Sequence, residues 1–267
     1  TGGTQAAGEG VVNIFINDNK AIAKAGDAVV IYAPRGNVTV KAASKIGYTG
    51  IVGGLAKSGG HGIGASVSVL VVNNEILAQT GNGVTITAGK KIHVDADSKE
   101  TIVAVVVNGA AATEANSGVA VAVSPSVNVI KGSTQAIAGT GTYTANFMDV
   151  TADSTTKIVI LSGGAAVSAG KAGVGGSVQV DVFLKKVRAL IADGTEGTHA
   201  VIFAPGGLTV SANSKEDSYL FVIGLGGGRS AAVSGSIAVV VIDNEVEAKI
   251  GNYAKVGSEN SRGDVTV

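Results

Sequence analysis

The segment Val38-Thr39-Val40-Lys41-Ala42-Ala43-Ser44 recurs along the chain at nearly constant spacing. The later copies are Ile92-His93-Val94-Asp95-Ala96-Asp97-Ser98, Met148-Asp149-Val150-Thr151-Ala152-Asp153-Ser154, Leu208-Thr209-Val210-Ser211-Ala212-Asn213-Ser214 and the beginning of a fifth, Val265-Thr266-Val267. The central valine stands at positions 40, 94, 150, 210 and 267, so successive copies are 54, 56, 60 and 57 residues apart. Such a period indicates a repeat architecture, in which each unit buries its apolar face against its neighbours.

Side chains within this segment alternate between two faces. One face keeps an apolar residue, Val, Ala and Ser in every complete copy, whereas the other changes from Thr, Lys and Ala to His, Asp and Asp. Alternation with period two indicates a β-strand with one buried face. We therefore predict that Val40, Val94, Val150 and Val210 are stacked and fully buried in one column. The serine that ends each copy is predicted to close a turn by bonding to the backbone.

A glycine-rich segment that leads into an apolar strand is the second recurring element, as in Gly62-Ile63-Gly64-Ala65-Ser66-Val67-Ser68-Val69. A polar pair follows in three copies, and Lys185-Lys186 takes its place in another; the pairs are Asp18-Asn19, Asn73-Asn74 and Asp243-Asn244. Asn and Asp tolerate left-handed backbone angles, so these pairs predict the corners of a coil, with Lys185-Lys186 as an outward-facing variant.

The repeat predicts an all-β fold, a right-handed parallel β-helix formed as one solenoid segment over residues 1–267. The units cover approximately 1–45, 46–99, 100–155, 156–215 and 216–267, each with about five short strands. A unit of about 55 residues is too short for an immunoglobulin-like sandwich and fits about two coils of about 4.8 Å each, giving a rod of roughly 45 to 50 Å. A β-propeller is the alternative, but its blades usually carry aromatic signatures, and this chain has five Phe, five Tyr and no Trp.

Composition narrows the possible partners. The twenty basic and twenty acidic residues cancel and form no block of one sign, which argues against nucleic acid. The absence of Cys excludes disulfides and thiolate metal sites. No apolar run reaches the roughly 18 to 20 residues of a spanning helix, so we expect no membrane insertion of this segment. The sequence opens without a signal-peptide pattern and ends within a strand pattern, Gly263-Asp264-Val265-Thr266-Val267, so we expect the rest of one large polypeptide on either side.

Several phrases resemble the repeats of leukotoxin-type filamentous adhesins, which are very large bacterial surface or secreted proteins of the autotransporter and two-partner secretion systems. The phrases are Gly64-Ala65-Ser66-Val67-Ser68-Val69, Val72-Asn73-Asn74, Val84-Thr85-Ile86-Thr87-Ala88-Gly89 and Val94-Asp95-Ala96-Asp97-Ser98. The resemblance covers the whole chain, and it rests on the recurring order of such phrases rather than on one invariant motif. It implies a β-helical passenger, an extracellular or cell-surface location and a role in adhesion or toxicity, with no catalytic residues to assign.

Arg262-Gly263-Asp264 matches the tripeptide that integrins bind and is the candidate receptor-binding site. However, Arg35-Gly36-Asn37-Val38 occupies the same place in the first repeat. A turn that requires Gly followed by Asp or Asn is therefore the favoured interpretation.

The remaining candidates favour neither a metal nor a cofactor. The three histidines, His61, His93 and His199, do not cluster in sequence, and His93 falls in an outward column with Thr39, Asp149 and Thr209. Asp95, Asp97 and Asp153 are predicted to face outward, with Asp97 and Asp153 roughly 10 Å apart if each repeat forms two coils, too far to share one ion. The glycine-rich segment 224–229 is expected to form packing turns, because no helix follows to hold an anion.

These observations predict a non-enzymatic structural and adhesive rod that attaches a bacterial surface protein to a host-cell receptor, to matrix or to another surface. Part of a secreted cytotoxin is the first alternative. A polysaccharide-active β-helix enzyme is the second, and it requires Asp, Lys and Arg clustered on adjacent coils of one face.

Overall fold

The computed structural model describes residues 2–3, 5–257 and 263–267, and these residues contain β-strands and no helix. The strands are β1 (Gly2–Gly3), β2 (Ala6–Ala25), β3 (Val30–Ala33), β4 (Val38–Ser58), β5 (His61–Thr80), β6 (Val84–Ala88), β7 (Lys91–Ala112), β8 (Val119–Val123), β9 (Ser126–Ala138), β10 (Gly141–Thr144), β11 (Phe147–Ser168), β12 (Ala172–Ile191), β13 (Ala200–Phe203), β14 (Gly207–Gly227), β15 (Ala231–Ile250), β16 (Lys255–Val256) and β17 (Val265–Thr266).

The strands form three parallel sheets. Sheet A has the order β1-β4-β7-β11-β14-β17, and the short sheet C has the order β16-β13-β10-β6-β3. Sheet B has the order β15-β12-β8-β5-β2, with β9 continuing β8 after Ser124-Pro125. Proline lacks the N–H that the ladder needs, which explains the break. The chain visits sheets B, C and A in turn, so one repeat makes one coil.

Two strand-level predictions are therefore wrong. Each repeat makes one wide coil of three strands, two long and one short. The prediction was about five short strands per repeat, arranged in two coils. The uninterrupted strands of sheets A and B contain 20 to 22 residues, which corresponds to about 66 to 73 Å at about 3.3 Å per residue. Five coils about 4.8 Å apart span only about 20 Å, so the predicted height of 45 to 50 Å is also wrong.

The β-propeller alternative is wrong as well, because neighbouring repeats pair in parallel through long ladders. Propeller blades are antiparallel sheets arranged around a channel. The protein is thus an all-β stack of parallel coils, consistent with a β-solenoid.

The predicted valine column is confirmed in register. Val40 pairs with Val94, Val94 with Val150, and Val150 with Val210. Val94, Val150 and Val210 are fully buried. Val40 is only partly buried, because among the described residues only Gly2–Gly3 pair with β4 on that side, at Lys57 and Ser58 and away from Val40.

The predicted corners are wrong, because the polar pairs and the serines lie inside long strands. Asn19 and Asn74 point into the core, and their neighbours Asp18 and Asn73 point outward. Ser44 and Ser98 accept hydrogen bonds from these asparagines, at 2.7 and 3.0 Å, and close no turn. Lys185 is likewise buried, contrary to its predicted outward position. Inward polar groups therefore form a layer across the core.

Three apolar clusters fill the space between sheets A and B. The largest lies next to sheet C and contains large side chains such as Ile86, Tyr143 and Met148. The second consists mainly of Ile residues, with Leu70, Val72, Ala104 and Phe183. The third contains only alanines: Ala110, Ala112, Ala120, Ala122 and Ala166. Because small residues allow closer approach of two sheets, the coil tapers from sheet C toward the turns that join sheet A to sheet B.

Candidate functional site on the outer faces of the coils

The outer face of sheet A is divided into a charged half near sheet C and an apolar half toward the tapered edge. The charged half is formed by the outward side chains of the repeated seven-residue segment. Thr39, His93, Asp149 and Thr209 form one column, as predicted. The next two columns are Lys41, Asp95, Thr151 and Ser211, and Ala43, Asp97, Asp153 and Asn213.

Asp95 is the centre of the charged half and is nearly inaccessible, although it lies on the outer face. Its Oδ2 lies 2.6 Å from Lys41 Nζ, and its Oδ1 accepts a hydrogen bond from Thr151 Oγ1 at 2.8 Å. His93 Nε2 is 3.7 Å from the same carboxylate. Burial alone would raise the pKa of Asp95, but the bonds from Lys41 and Thr151 and the adjacent His93 hold this pKa below its ordinary value. The carboxylate is therefore fixed in its ionised form.

The two aspartates of one outward column are closer together than predicted. Asp97 and Asp153 are direct partners on adjacent coils, about 4.8 Å apart at the backbone rather than 10 Å. Asn213 Nδ2 donates to Asp153 at 2.9 Å, and Lys99 Nζ lies 3.8 Å from Asp97. Among the described residues, no three His, Asp or Glu side chains are placed to hold a metal ion. A lysine of the same strand thus partly offsets the charge of Asp97, and an amide of the neighbouring coil donates a hydrogen bond to Asp153.

The apolar half of sheet A carries large hydrophobic side chains that are exposed to solvent. They are Ile51, Leu55, Val107, Val167, Tyr219, Phe221, Ile223 and Leu225. The sequence does carry a signal for this surface, since Ile102-Val103-Ala104-Val105-Val106-Val107 is apolar at every position. A continuous apolar run indicates a strand that is apolar on both faces.

The outer face of sheet B has a matching apolar half, opposite that of sheet A. Its exposed members are Val12, Ile14, Ile16, Ile63, Val123, Val127, Val178, Val233, Ile237, Val239 and Val241. The register arranges them in columns such as Ile14, Val69, Val127, Val180 and Val239. Five columns about 6.6 Å apart on five strands about 4.8 Å apart cover about 26 by 19 Å, or about 500 Å².

This area is in the range of the largest apolar patch that a soluble monomer carries. The largest apolar patch on a soluble monomer is typically about 300 to 600 Å², and patches of this size often mark interaction sites. Here two such patches lie back to back on the same tapered half of the coil. These faces therefore offer a partner flat surfaces rich in β-branched side chains. The described residues of these faces do not form a pocket with convergent polar groups.

The integrin-type tripeptide is only partly visible, because Arg262 lies outside the described residues. Asp264 is exposed, and its carbonyl accepts a hydrogen bond from the Leu208 amide at 2.8 Å. A Cβ on Gly263 would lie 2.7 Å from the Ala204 carbonyl oxygen, so packing against the preceding coil requires glycine here. Val265 pairs with Leu208, in the column of Val38, which agrees with the interpretation as a repeated turn.

The other sequence candidates are placed apart. His61 begins β5 in sheet B, His93 lies in β7 of sheet A, and His199 directly precedes β13 of sheet C. Of the glycines at 224–229, Gly224, Gly226 and Gly227 lie within β14 rather than in a turn. None of the described residues forms a helix of the length and hydrophobicity needed to cross a bilayer.

Comparisons with protein-family models, with curated proteins and with solved structures gave no match. The fold and the outer faces therefore carry the functional argument.

Proposed function

We propose that this chain is a structural and adhesive segment of a bacterial surface-exposed or secreted protein, folded as a right-handed parallel β-helix. Its partner is a host-cell receptor, matrix or another surface, and it acts without a cofactor. A stack of coils extends by one level with each further repeat, and outer columns such as Ile14, Val69, Val127, Val180 and Val239 stay apolar through all five coils. Both properties suit a rod that spans distance and binds by many similar apolar contacts.

The exposed apolar half of each long sheet carries this proposal. Burying a face of about 500 Å² of apolar surface is favourable by roughly 25 cal/mol per Å² before the costs of association are subtracted. A repeated array also gains from multivalency when several segments bind the same surface. Weak contacts per coil therefore add up to stable attachment.

A bead assay tests this role with matched variants. Beads covalently coupled to the chain are expected to attach to cultured epithelial cells more strongly than beads coupled to albumin. The triple variant Ile14→Thr, Val127→Thr, Val239→Thr replaces three of the five members of one apolar column and keeps β-branching, and it is expected to lower attachment several-fold.

The matched control replaces the three lysines of one outward column of sheet A, through Lys45→Thr, Lys99→Thr and Lys215→Thr. This variant should fold and attach as well as the parent chain, because exposed ion pairs contribute little to stability and these lysines lie outside the apolar halves of both sheets. Attachment no better than albumin, or an equal loss in both variants, would contradict adhesion through the apolar faces.

The cytotoxin alternative is favoured by the same two apolar faces, since a thin element that is apolar on both sides also suits contact with lipid acyl chains. Soluble chain added to leukocytes distinguishes the two functions. Release of a cytosolic marker that the apolar-column variant abolishes supports a toxin, and attachment without release supports an adhesin.

The enzyme alternative has one supporting observation, the cluster of Lys41, His93, Asp95 and Asp149 on adjacent coils. A polysaccharide-active site needs a carboxylate that is free to act on substrate, whereas Asp95 is already engaged by three neighbours. Depolymerisation of acidic polysaccharides that Asp95→Asn abolishes would favour this alternative.

A further inference from the structure

The polar layer inside the coils contains a buried lysine, Lys185. Its side chain is 2% exposed, and the Glu100 side chain that its Nζ contacts is 0% exposed. Lys185 lies in the fourth coil and Glu100 in the second, so the lysine side chain extends past the third coil to reach the carboxylate. Gly132 stands at that level, and a Cβ there would lie 2.7 Å from Lys185 Nζ. The glycine therefore leaves the space that the lysine fills.

Asn74 lies on the second coil, where it pairs directly with Gly132 of the third coil, and it is fully buried. Its Nδ2 donates to Glu100 Oε1 at 2.9 Å, while Lys185 Nζ donates to Glu100 Oε2. One carboxylate thus bridges an amine and a carboxamide in a site that is closed to solvent. The carboxamide oxygen of Asn74 accepts a hydrogen bond from Asn19 Nδ2 at 2.8 Å.

We propose that Lys185 and Asn74 form an autocatalytic intramolecular isopeptide bond, with Glu100 as the proton-transfer residue. The four side chains supply the groups that acyl transfer needs. Lys185 Nζ is the nucleophile, Asn74 Cγ is the electrophile, and Asn19 Nδ2 donates to the oxygen on which negative charge develops. The proposal concerns the core and does not depend on what the outer faces bind.

The reaction is balanced without any co-reactant. Nζ transfers a proton to Glu100, which leaves a neutral amine and a neutral carboxyl group, and burial favours neutral over charged groups. The amine attacks Cγ, and Glu100 passes protons from Nζ to Nδ2. The Cγ–Nδ2 bond then breaks, the Nζ–Cγ amide remains, and the nitrogen leaves as ammonia, which takes the last proton as ammonium. Glu100 ends as it began, a carboxylate.

The bond would join the second and fourth coils directly and bypass the third. A covalent link between coils keeps the stack closed when the ends of the chain are pulled, and it restricts the unfolded chain.

The intact mass of the purified 267-residue chain tests the proposal. The parent chain is expected to be lighter than its sequence mass by one ammonia molecule, and peptide mapping should find one cross-linked peptide that contains Asn74 and Lys185. Glu100→Gln and Lys185→Met should each show the full mass. Asn74→Asp should instead lose one water molecule, because a carboxylic acid replaces the amide.

Two results would overturn the proposal. One is a parent chain of full mass. The other is an ammonia deficit that persists in Lys185→Met, since cyclisation at Asn82-Gly83 or Asn108-Gly109 also releases ammonia. Far-ultraviolet circular dichroism of each variant serves as the check on folding, and the parent's own mass decides the question even if a variant does not fold.

Discussion

Val150 illustrates how a single residue is constrained by the stack. It is fully buried and pairs with Val94 on one side and Val210 on the other. Any change at this position is therefore felt in three coils. The outward neighbour Thr151 is constrained as well, because its hydroxyl donates to Asp95 at 2.8 Å.

We expect Val150→Asp to lower the free energy of unfolding by more than about 3 kcal/mol, because it buries a carboxylate without a partner. The control is Thr155→Asp on the outer face, where the adjacent coils carry Lys99 and Lys215. This exposed change should cost no more than about 0.5 kcal/mol. Urea midpoints of the two variants test the face assignment, and equal destabilisation would show that the faces are reversed.

Asp181 is the buried residue from which a pH dependence is expected. Burial raises its pKa above the ordinary value of 3.8, although Gln179 and Asn128 both donate to it. A folded-state pKa above the unfolded one contributes stability at low pH that is lost as the pH rises through the folded-state value.

Asn at position 181 cannot ionise, so Asp181→Asn avoids the loss of stability with rising pH. The new amide can also donate to Gln179 Oε1, which has no partner among the described residues. We expect the urea midpoint of Asp181→Asn to match the parent below about pH 4 and to exceed it near pH 7. A variant that is less stable than the parent at both values would contradict this assignment.

At the scale of the strand, close approach of sheets A and B decides which residues are allowed in the tapered half. A Cβ on Gly175 of β12 would lie 1.8 Å from the Leu225 carbonyl oxygen of β14. Even alanine is therefore too large, and the two sheets would have to separate. Gly235 of β15 lies on the outer face, and a Cβ there would meet no atom within 4 Å.

We predict that Gly175→Ala destabilises the fold by more than about 1 kcal/mol, in the range of overpacked cores. Gly235→Ala should be neutral or stabilising by up to about 1 kcal/mol, because alanine restricts the unfolded chain. Thermal melting of both variants is the measurement. A neutral Gly175→Ala would mean that the sheets are farther apart than the structure shows.

At the scale of the whole molecule, the described chain extends farther along its strands than along the stack of coils. Strands of 20 to 22 residues give about 66 to 73 Å, against about 20 Å for five coils. The last long strand, β15, is largely exposed, including the inward side chains Val240 and Ile242, because the described part of the fifth coil contributes only the two-residue β17 to sheet A. Each further repeat would cover this surface.

Small-angle scattering of the monomer should give a longest dimension of about 65 to 75 Å with a flat cross-section. Far-ultraviolet circular dichroism should show β-structure with negligible helix. A compact, nearly spherical particle would contradict the single wide coil, and substantial helix would contradict the fold.

The sequence by itself determined the repeat, its β-strand character and the valine column, because alternation and period are local properties that survive without contacts. Only the tertiary structure decided that one repeat makes one coil, since a run of alternating residues does not state where a strand ends. Polar residues such as Ser98 and Asn74 therefore predicted corners, although their hydrogen bonds to each other allow them to lie inside the core. The burial of Lys185 depends on Gly132 and Glu100 in other coils, and no local pattern could indicate it.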